Sequence, residues 1–373
     1  MYDYLVVGSG YAGSVIAERL ASQRDKKVMI LDRRSHIGGN AFDHFDEYDI
    51  LVHSYGPHIF HTNSKKVWEY LSLFTEWKPY EHRVLADIDG RLVPIPFNFR
   101  SIDLLFEAQK ATMFKNVLTE QYGIGTNVPI LELMKVQNDK LKELANYIYE
   151  KVFEGYTTKQ WGFNPKQLDA SVTSRVPVRV SYDDRYFQDT YQAMPRSGYT
   201  AMFNKMLSHP NIEILLNTDY KNILNSIDYG RMIYTGPLDY FFDYKFGRLP
   251  YRSLRFEFSH YNVKFHQEVA QVNFPNEYTF TRKTEFKHIT HQTSEGTTVA
   301  TEFPIEHVDG QSEPYYPIPV DDSRKLYNMY IPEVKKLKGK VFFVGRLAEY
   351  KYFNMDQIVG RALSVFENEL SKL

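Results

Sequence analysis

The chain contains no cysteine in 373 residues. That excludes disulfides, Fe–S clusters, thiolate zinc sites and cysteine nucleophiles. It also lacks a charge excess: 45 Lys and Arg stand against 46 Asp and Glu, a formal net charge of −1. A basic surface for nucleic acid is therefore not expected, while a local basic pocket for phosphates remains compatible. No run of 18 apolar residues occurs, so no transmembrane helix and no membrane insertion are expected. The opening MYDYLVVGSG enters a strand at once and leaves no room for a signal peptide, so the cytoplasm is the expected location.

What is present fits a globular protein. The apolar fraction of 43 % is ordinary, and the length suggests two or three folding units. Aromatic content is 16 %, with 29 Tyr. Most of these tyrosines read as core or surface packing, and a few as lining for a sugar or nucleotide cleft.

Residues Tyr4–Val7 form a short apolar strand ending in glycines, Tyr11–Ser22 a helix with Val15, Ile16, Ala17 and Leu20 inward, and Lys27–Leu31 a second strand. Strand, helix and strand in about 30 residues make a βαβ unit with a parallel sheet. From Arg100 to about Ser171 the period changes: Leu104, Ala108, Ala111, Phe114 and Leu118, then Leu141, Leu144, Ala145, Ile148 and Val152, recur at helical spacing, with a turn at Gly123–Gly125. After Val176, the segments Arg255–Ser259, Ala270–Asn273, Tyr278–Arg282 and Thr297–Phe303 read as strands of an antiparallel sheet. Arg231–Tyr234 and Lys340–Val344, ending YTG and VGR, read as late strands of the first sheet. The expected class is α/β. A discontinuous Rossmann-like domain (1–79, 197–245 and 317–373) carries an inserted helical domain (101–172) and an antiparallel sheet domain (80–100, 173–196 and 246–316).

Gly8, Gly10 and Gly13 spell G-x-G-x-x-G between strand and helix. Gly8 permits the tight turn, Gly10 lets a pyrophosphate approach the backbone, and Gly13 allows close helix–strand packing. The helix N-terminus then offers unpaired N–H groups to phosphate. Asp32, at the end of the next strand, is the expected ribose acceptor. A second glycine pair, Gly38–Gly39, follows soon after, and Gly345–Arg346 follow a late apolar strand. Together these favour FAD over NAD. His58 and His61 form H-x-x-H, but no carboxylate or cysteine lies near in sequence, so no metal is expected.

The segments YDYLVVGSG, HIGGNA, YGPHIFHTN, GYTTKQWG, RVPVR, YTGPLDYFFDYKFG, YRSL, EPYYPI and GRLAEYKY run from end to end of the chain. In them the sequence resembles the bacterial UDP-galactopyranose mutases. The resemblance implies a redox-neutral isomerisation of UDP-galactopyranose and UDP-galactofuranose, in which N5 of reduced FAD attacks the anomeric carbon and UDP leaves. It implies a homodimer, UDP-galactose as substrate, and an external reductant such as NAD(P)H or a reductase. Arg175 and Arg282, each unremarkable alone, match the family's two diphosphate arginines, whose planar forks suit phosphate. His58 is placed beside the flavin and His61 near the sugar. His82, Tyr156, Trp161, Tyr186, Arg252, Tyr316 and Tyr352 match substrate contacts, with Trp161 on a mobile loop flanked by Gly155 and Gly162. Besides the glycines and Asp32, the implied cofactor residues are Ser9, Ala12, Arg33, Asn40, His58, Ile59, Asp219, Tyr220, Arg346, Tyr352, Asn354, Met355 and Ile358. One departure is Asn354, where some members carry Asp, which removes a charge near the sugar and flavin. The competing readings are an FAD-dependent amine oxidase-like oxidoreductase and a non-catalytic UDP-sugar-binding flavoprotein.

Overall fold

The computed structural model describes residues 1–168 and 176–373. The chain divides into two compact units. The first comprises Met1–Tyr80, Asp189–Ser253 and His307–Leu373, and the second Glu81–Gln188 and Leu254–Glu306. The helical stretch and the later strands, expected as separate domains, fall together in the second unit.

The first unit is built on a five-stranded sheet. Its strands, in chain order, are β1 (Tyr2–Val7), β2 (Val28–Leu31), β3 (Ile212–Leu215), β4 (Tyr229–Tyr234) and β5 (Val341–Phe343), and they lie side by side as β3-β2-β1-β4-β5. Every pairing is parallel; Val6 sits opposite Ile30 on one side and Ile233 on the other. The central strand β1 is buried on both faces at Tyr4, Leu5 and Val6, so it reads as an apolar run rather than an alternation. Helix α1 (Tyr11–Arg24) buries Val15, Ile16, Ala17 and Leu20, as the spacing predicts, and packs against the late helix Met355–Asn368. The chain leaves β1 for β2 on one side and later returns to β4 on the other. The strand order therefore reverses beside β1, and the carboxyl ends of the strands there form the natural ligand crevice.

Beside this sheet, strand Tyr191–Pro195 pairs with Phe60–Thr62 and with Trp77–Pro79. A stack of Phe60, Trp77, Trp68 and Tyr191, with centroids 4.7–4.8 Å apart, holds the three strands. Such offset aromatic pairs each add roughly 0.5–1.5 kcal/mol beyond their buried area.

In the second unit a hairpin, Val84–Ile88 with Arg91–Ile95, joins Gln271–Asn273, Arg282–Glu285, Thr297–Glu306 and the strand that runs on from Leu254. The sheet is mixed, not antiparallel throughout: Gln271–Asn273 runs parallel to Val84–Ala86. The segment Tyr278–Thr281, expected as part of a strand, is not one, and pairing begins only at Arg282. The carbonyls of Tyr278 and Phe280 accept from a lysine side chain, while the Thr281 backbone bonds Phe274 and Glu302. The predicted helical faces hold for Ala111, Phe114 and Leu118 and for Leu141, Leu144, Ala145 and Ile148, which share one core with Val84, Ile88 and Val93. Leu104 does not join them. It belongs to a separate short helix, Phe99–Leu105, capped by the Asn98 side chain, and is exposed.

Candidate functional site

In the first unit the carboxyl ends of all five strands converge on one cleft. Gly8 follows β1, Asp32 follows β2, Thr218 lies just beyond β3, Thr235 follows β4 and Gly345 lies just beyond β5, and all five line it. Two glycine turns meet at its floor. A Cβ on Gly39 would lie 2.9 Å from the Gly10 Cα, and Gly39 has φ +57°. A Cβ on Gly13 would fall 1.9 Å from the Gly8 carbonyl oxygen, which is the close helix–strand approach that the third glycine of the motif serves. Helix α1 starts at Gly10 with no side-chain cap and no acid in its first turn. Its first N–H groups are thus left to an outside acceptor, and its dipole favours an anion. The residues present fit a dinucleotide, and the second glycine turn backing the first fits the flavin kind.

Most of the expected cofactor residues line this cleft: Gly8, Gly10, Ala12, Asp32, Arg33, Gly38, Gly39, Asn40, His58, Asp219, Tyr220, Gly345, Arg346, Met355 and Ile358. Ser9, Gly13, Ile59, Tyr352 and Asn354 are not in its wall. Ser9 is fully buried, and it donates from both N and Oγ to Asp32 Oδ2, at 2.8 and 2.6 Å. Asp32 Oδ1 accepts from Arg34 N at 3.0 Å. Oδ2 of Asp32 thus already takes two protein donors and Oδ1 one, and the second lone pair of Oδ1 is what a ribose can use. Asn354 opens the late helix: its N–H donates to Gln357 Oε1 at 2.9 Å.

The sequence reading missed Tyr11, Arg34, Thr235, Tyr240 and Glu313, all of which line the cleft. Thr235 follows a strand end, and Tyr240 and Glu313 fall in the family-like segments YTGPLDYFFDYKFG and EPYYPI. Glu313 accepts from Arg33 and Arg34 at 2.6 and 2.7 Å. Burial raises its carboxyl, but the Arg34 and Arg33 charges outweigh burial and hold it below its ordinary value. Arg34 also lies 4.4 Å over the Tyr55 ring.

The histidine segment is fixed from beneath. His53 is 1 % exposed, and its Nδ1 accepts from the His58 N–H at 3.0 Å. Burial pulls the His53 imidazole down to about 3. His58 Nδ1 lies 2.8 Å from the Gly56 carbonyl, which can only accept, so Nδ1 carries a hydrogen. His61, on the Phe60–Thr62 strand, places Nδ1 2.9 Å from Asp189 Oδ2, and Asn63 donates to the other Asp189 oxygen at 2.8 Å. Among the described residues no group of three or more His, Asp or Glu side chains is arranged to hold a metal.

The first unit also gathers several expected substrate residues. Tyr316 and Tyr352 stack with centroids 5.6 Å apart and an interplanar angle of 12°. The Arg346 guanidinium lies 4.9 Å from the Tyr352 ring and 5.5 Å from the Tyr316 ring. It is aimed by the carbonyls of Phe353 and Tyr315, at 2.6 and 3.3 Å. Arg252 sits opposite Tyr316 on a short ladder.

The second unit holds the remaining candidates. Tyr156 and Trp161 lie on a helix, Gly155–Trp161, rather than on a loop, and Trp161 is buried. The helix continues from a π-helical turn, Tyr149–Glu154, and stops at Gly162 in the left-handed region (φ +75°). Between the two aromatics, Lys159 donates to the carbonyls of Phe274, Tyr278 and Phe280. Burial draws its ammonium down to about 8. Arg282 donates through Nε to Glu302 Oε2 at 2.7 Å, and Glu302 is 2 % exposed. His82 is buried, with Tyr186 and Phe187 packed around its ring. Arg175 lies outside the described residues.

Comparison with known proteins gives a consistent result. A family model described as UDP-galactopyranose mutase matches residues 151–352, and one described as an NAD(P)-binding Rossmann-like domain matches residues 6–74. A probable UDP-galactopyranose mutase of Klebsiella pneumoniae is 37 % identical over 375 residues, covering 100 % of this chain and 95 % of that protein. A dTDP-fucopyranose mutase of Escherichia coli is 35 % identical, with 97 % of each covered. Among solved structures, a reduced UDP-galactopyranose mutase superposes with a TM-score of 0.75 at 15 % identity, over 100 % of this chain and 96 % of that one. A putrescine oxidase superposes at 0.61 and 9 % identity, over 99 % of each. At those identities the structures speak to the fold alone, whereas the full-length relatives speak to descent. The chain belongs to the UDP-galactopyranose mutase family.

Proposed function

We propose that this protein is an FAD-dependent mutase that interconverts the pyranose and furanose forms of UDP-galactose. The observation that carries the reading is family membership along the whole chain, joined to a cleft whose two abutting glycine turns suit a flavin dinucleotide. Held between the Gly8–Gly13 and Gly38–Gly39 turns, reduced FAD would supply nucleophilic chemistry at N5 toward the anomeric carbon, with no net redox change.

The chain's own residues supply binding, orientation and charge. The departing diphosphate is negative, and Arg282, oriented by Glu302, is a fixed cation for it. Arg175 is its proposed partner. The hydroxyls of Tyr316 and Tyr352 donate to phosphate or sugar oxygens without ionising. Trp161 and Tyr156 form the flat platform for uracil, and His82 and Tyr186 contribute on the same unit. With Nδ1–H on the Gly56 carbonyl, a neutral His58 ring presents Nε2 as an acceptor beside the cofactor. His61, aligned by Asp189, is the side chain proposed to hold a sugar hydroxyl through ring opening and closure. Asn354 keeps the shape of the Asp found in some relatives without its charge.

The test is incubation of the FAD-loaded protein with UDP-galactofuranose, with and without dithionite, following UDP-galactopyranose by chromatography. Conversion only after reduction is expected. No conversion despite bound, reducible flavin refutes the assignment. The Escherichia coli relative makes a second substrate specific: dTDP-fucopyranose carries a different base and a different sugar. Faster turnover of that compound in the same assay moves the reading there.

A further inference from the structure

On the helix that carries Tyr156 and Trp161, the second unit holds an ammonium group bound to three backbone carbonyls. Lys159 lies on the Gly155–Trp161 helix between Tyr156 and Trp161. Its Nζ donates to Tyr278 O at 2.8 Å, to Phe280 O at 3.1 Å and to Phe274 O. Three donors meet three acceptors, so the ammonium is fully used. The acceptors span one loop, which Phe274 N and Thr281 O close with their own 2.8 Å hydrogen bond and which leads directly into Arg282.

Two further contacts hold the same loop against the same helical stretch. Asn276 Nδ2 donates to Lys151 O at 3.0 Å. A Cβ on Gly155 would come within 2.4 Å of the Pro275 carbonyl oxygen, so glycine is what lets the two backbones approach. Tyr278 and Phe280, which are not in a strand, turn their carbonyls to this ammonium.

From this geometry we infer that Lys159 is a positioning residue, setting Tyr156 and Trp161 in register with Arg282 for the nucleotide end of the substrate. The inference rests on the proposed nucleotide-sugar function. Lys159 does not line the cofactor cleft. Its removal disturbs ground-state binding of the nucleotide and spares the chemical step, so KM rises while kcat stays nearly constant.

The experiment uses FAD-loaded, dithionite-reduced protein with UDP-galactofuranose for kinetics and UDP alone for calorimetric binding. Wild-type binding of UDP is measured first, and its absence counts against the nucleotide-sugar reading itself. Given wild-type binding, Lys159→Met is expected to raise KM and the UDP Kd together by roughly ten-fold, the loss of charge-assisted hydrogen bonds, with kcat within about two-fold. Lys159→Arg, which keeps charge and several donors, is expected to recover most of the loss. Unchanged KM and Kd in Lys159→Met, or a fall in kcat at constant KM, overturns the inference. If Lys159→Met does not fold, Asn276→Ala removes a milder contact of the same clasp. A two- to three-fold rise in both KM and Kd then supports the inference, and unchanged values overturn it.

Discussion

Acid should loosen the cofactor cleft through a residue that does not line it. His53 is buried at the end of a short strand, and its Nδ1 accepts the backbone N–H of His58, which lines the cleft. A proton on that nitrogen would face the His58 N–H donor to donor. Burial holds the folded value at about 3, against 6.5 for an exposed imidazole. Between those values the unfolded chain binds more protons, so the contribution to stability is complete above about pH 6.5 and is lost as pH falls toward 3. At pH 5 the linkage relation gives a loss of about 2 kcal/mol relative to pH 8 from this one group. For a unit of about 200 residues that is a fall of roughly 4–8 °C in melting temperature. The comparison variant is His53→Gln, whose amide oxygen accepts from His58 without titrating. Thermal melts of FAD-loaded wild type and variant at pH 8, 6.5 and 5, read by circular dichroism and flavin fluorescence, give two stability curves. The wild type should lose about 2 kcal/mol more than the variant between pH 8 and 5. Parallel curves would refute the reasoning and show that His53 is protonated in the folded protein without cost.

Other substitutions test the site at separate points. Gly39→Ala forces a side chain at φ +57° to within 2.9 Å of the Gly10 backbone, so the purified protein should retain much less flavin per chain by absorbance. Glu302→Gln removes the charge of a carboxylate that is 2 % exposed and its ion pair with Arg282. A stability loss of about 3 kcal/mol and a higher KM for the nucleotide sugar should follow, by melting and steady-state kinetics. Gly155→Ala, with its Cβ 2.4 Å from the Pro275 carbonyl oxygen, should weaken UDP binding measured by calorimetry. Asp32→Asn should lower flavin affinity by roughly ten-fold, because the Ser9 donors keep their acceptor but the charge on the ribose contact is lost.

The amino-acid sequence alone determined the parts of this protein that depend on neighbours along the chain. The glycine spacing after β1, the acid at the end of β2 and the helical period of Ala111–Leu118 are local patterns, and each appears in the structure where the spacing puts it. The dispersed strands at Arg231 and Val341 were legible because each is a short apolar run that ends in a glycine turn at the crevice. Tertiary structure decided what depends on residues far apart in sequence. Glu302 meets Arg282, Asp189 meets His61, Glu313 meets Arg33 and Arg34, and three loop carbonyls meet Lys159. None of these pairs has a sequence period, because a buried charge accepts whichever partner the fold brings within hydrogen-bond reach. The same reason governs Tyr278 and Phe280: their β-forming composition suits a strand, but the fold turns their carbonyls to a lysine on a helix far away in sequence.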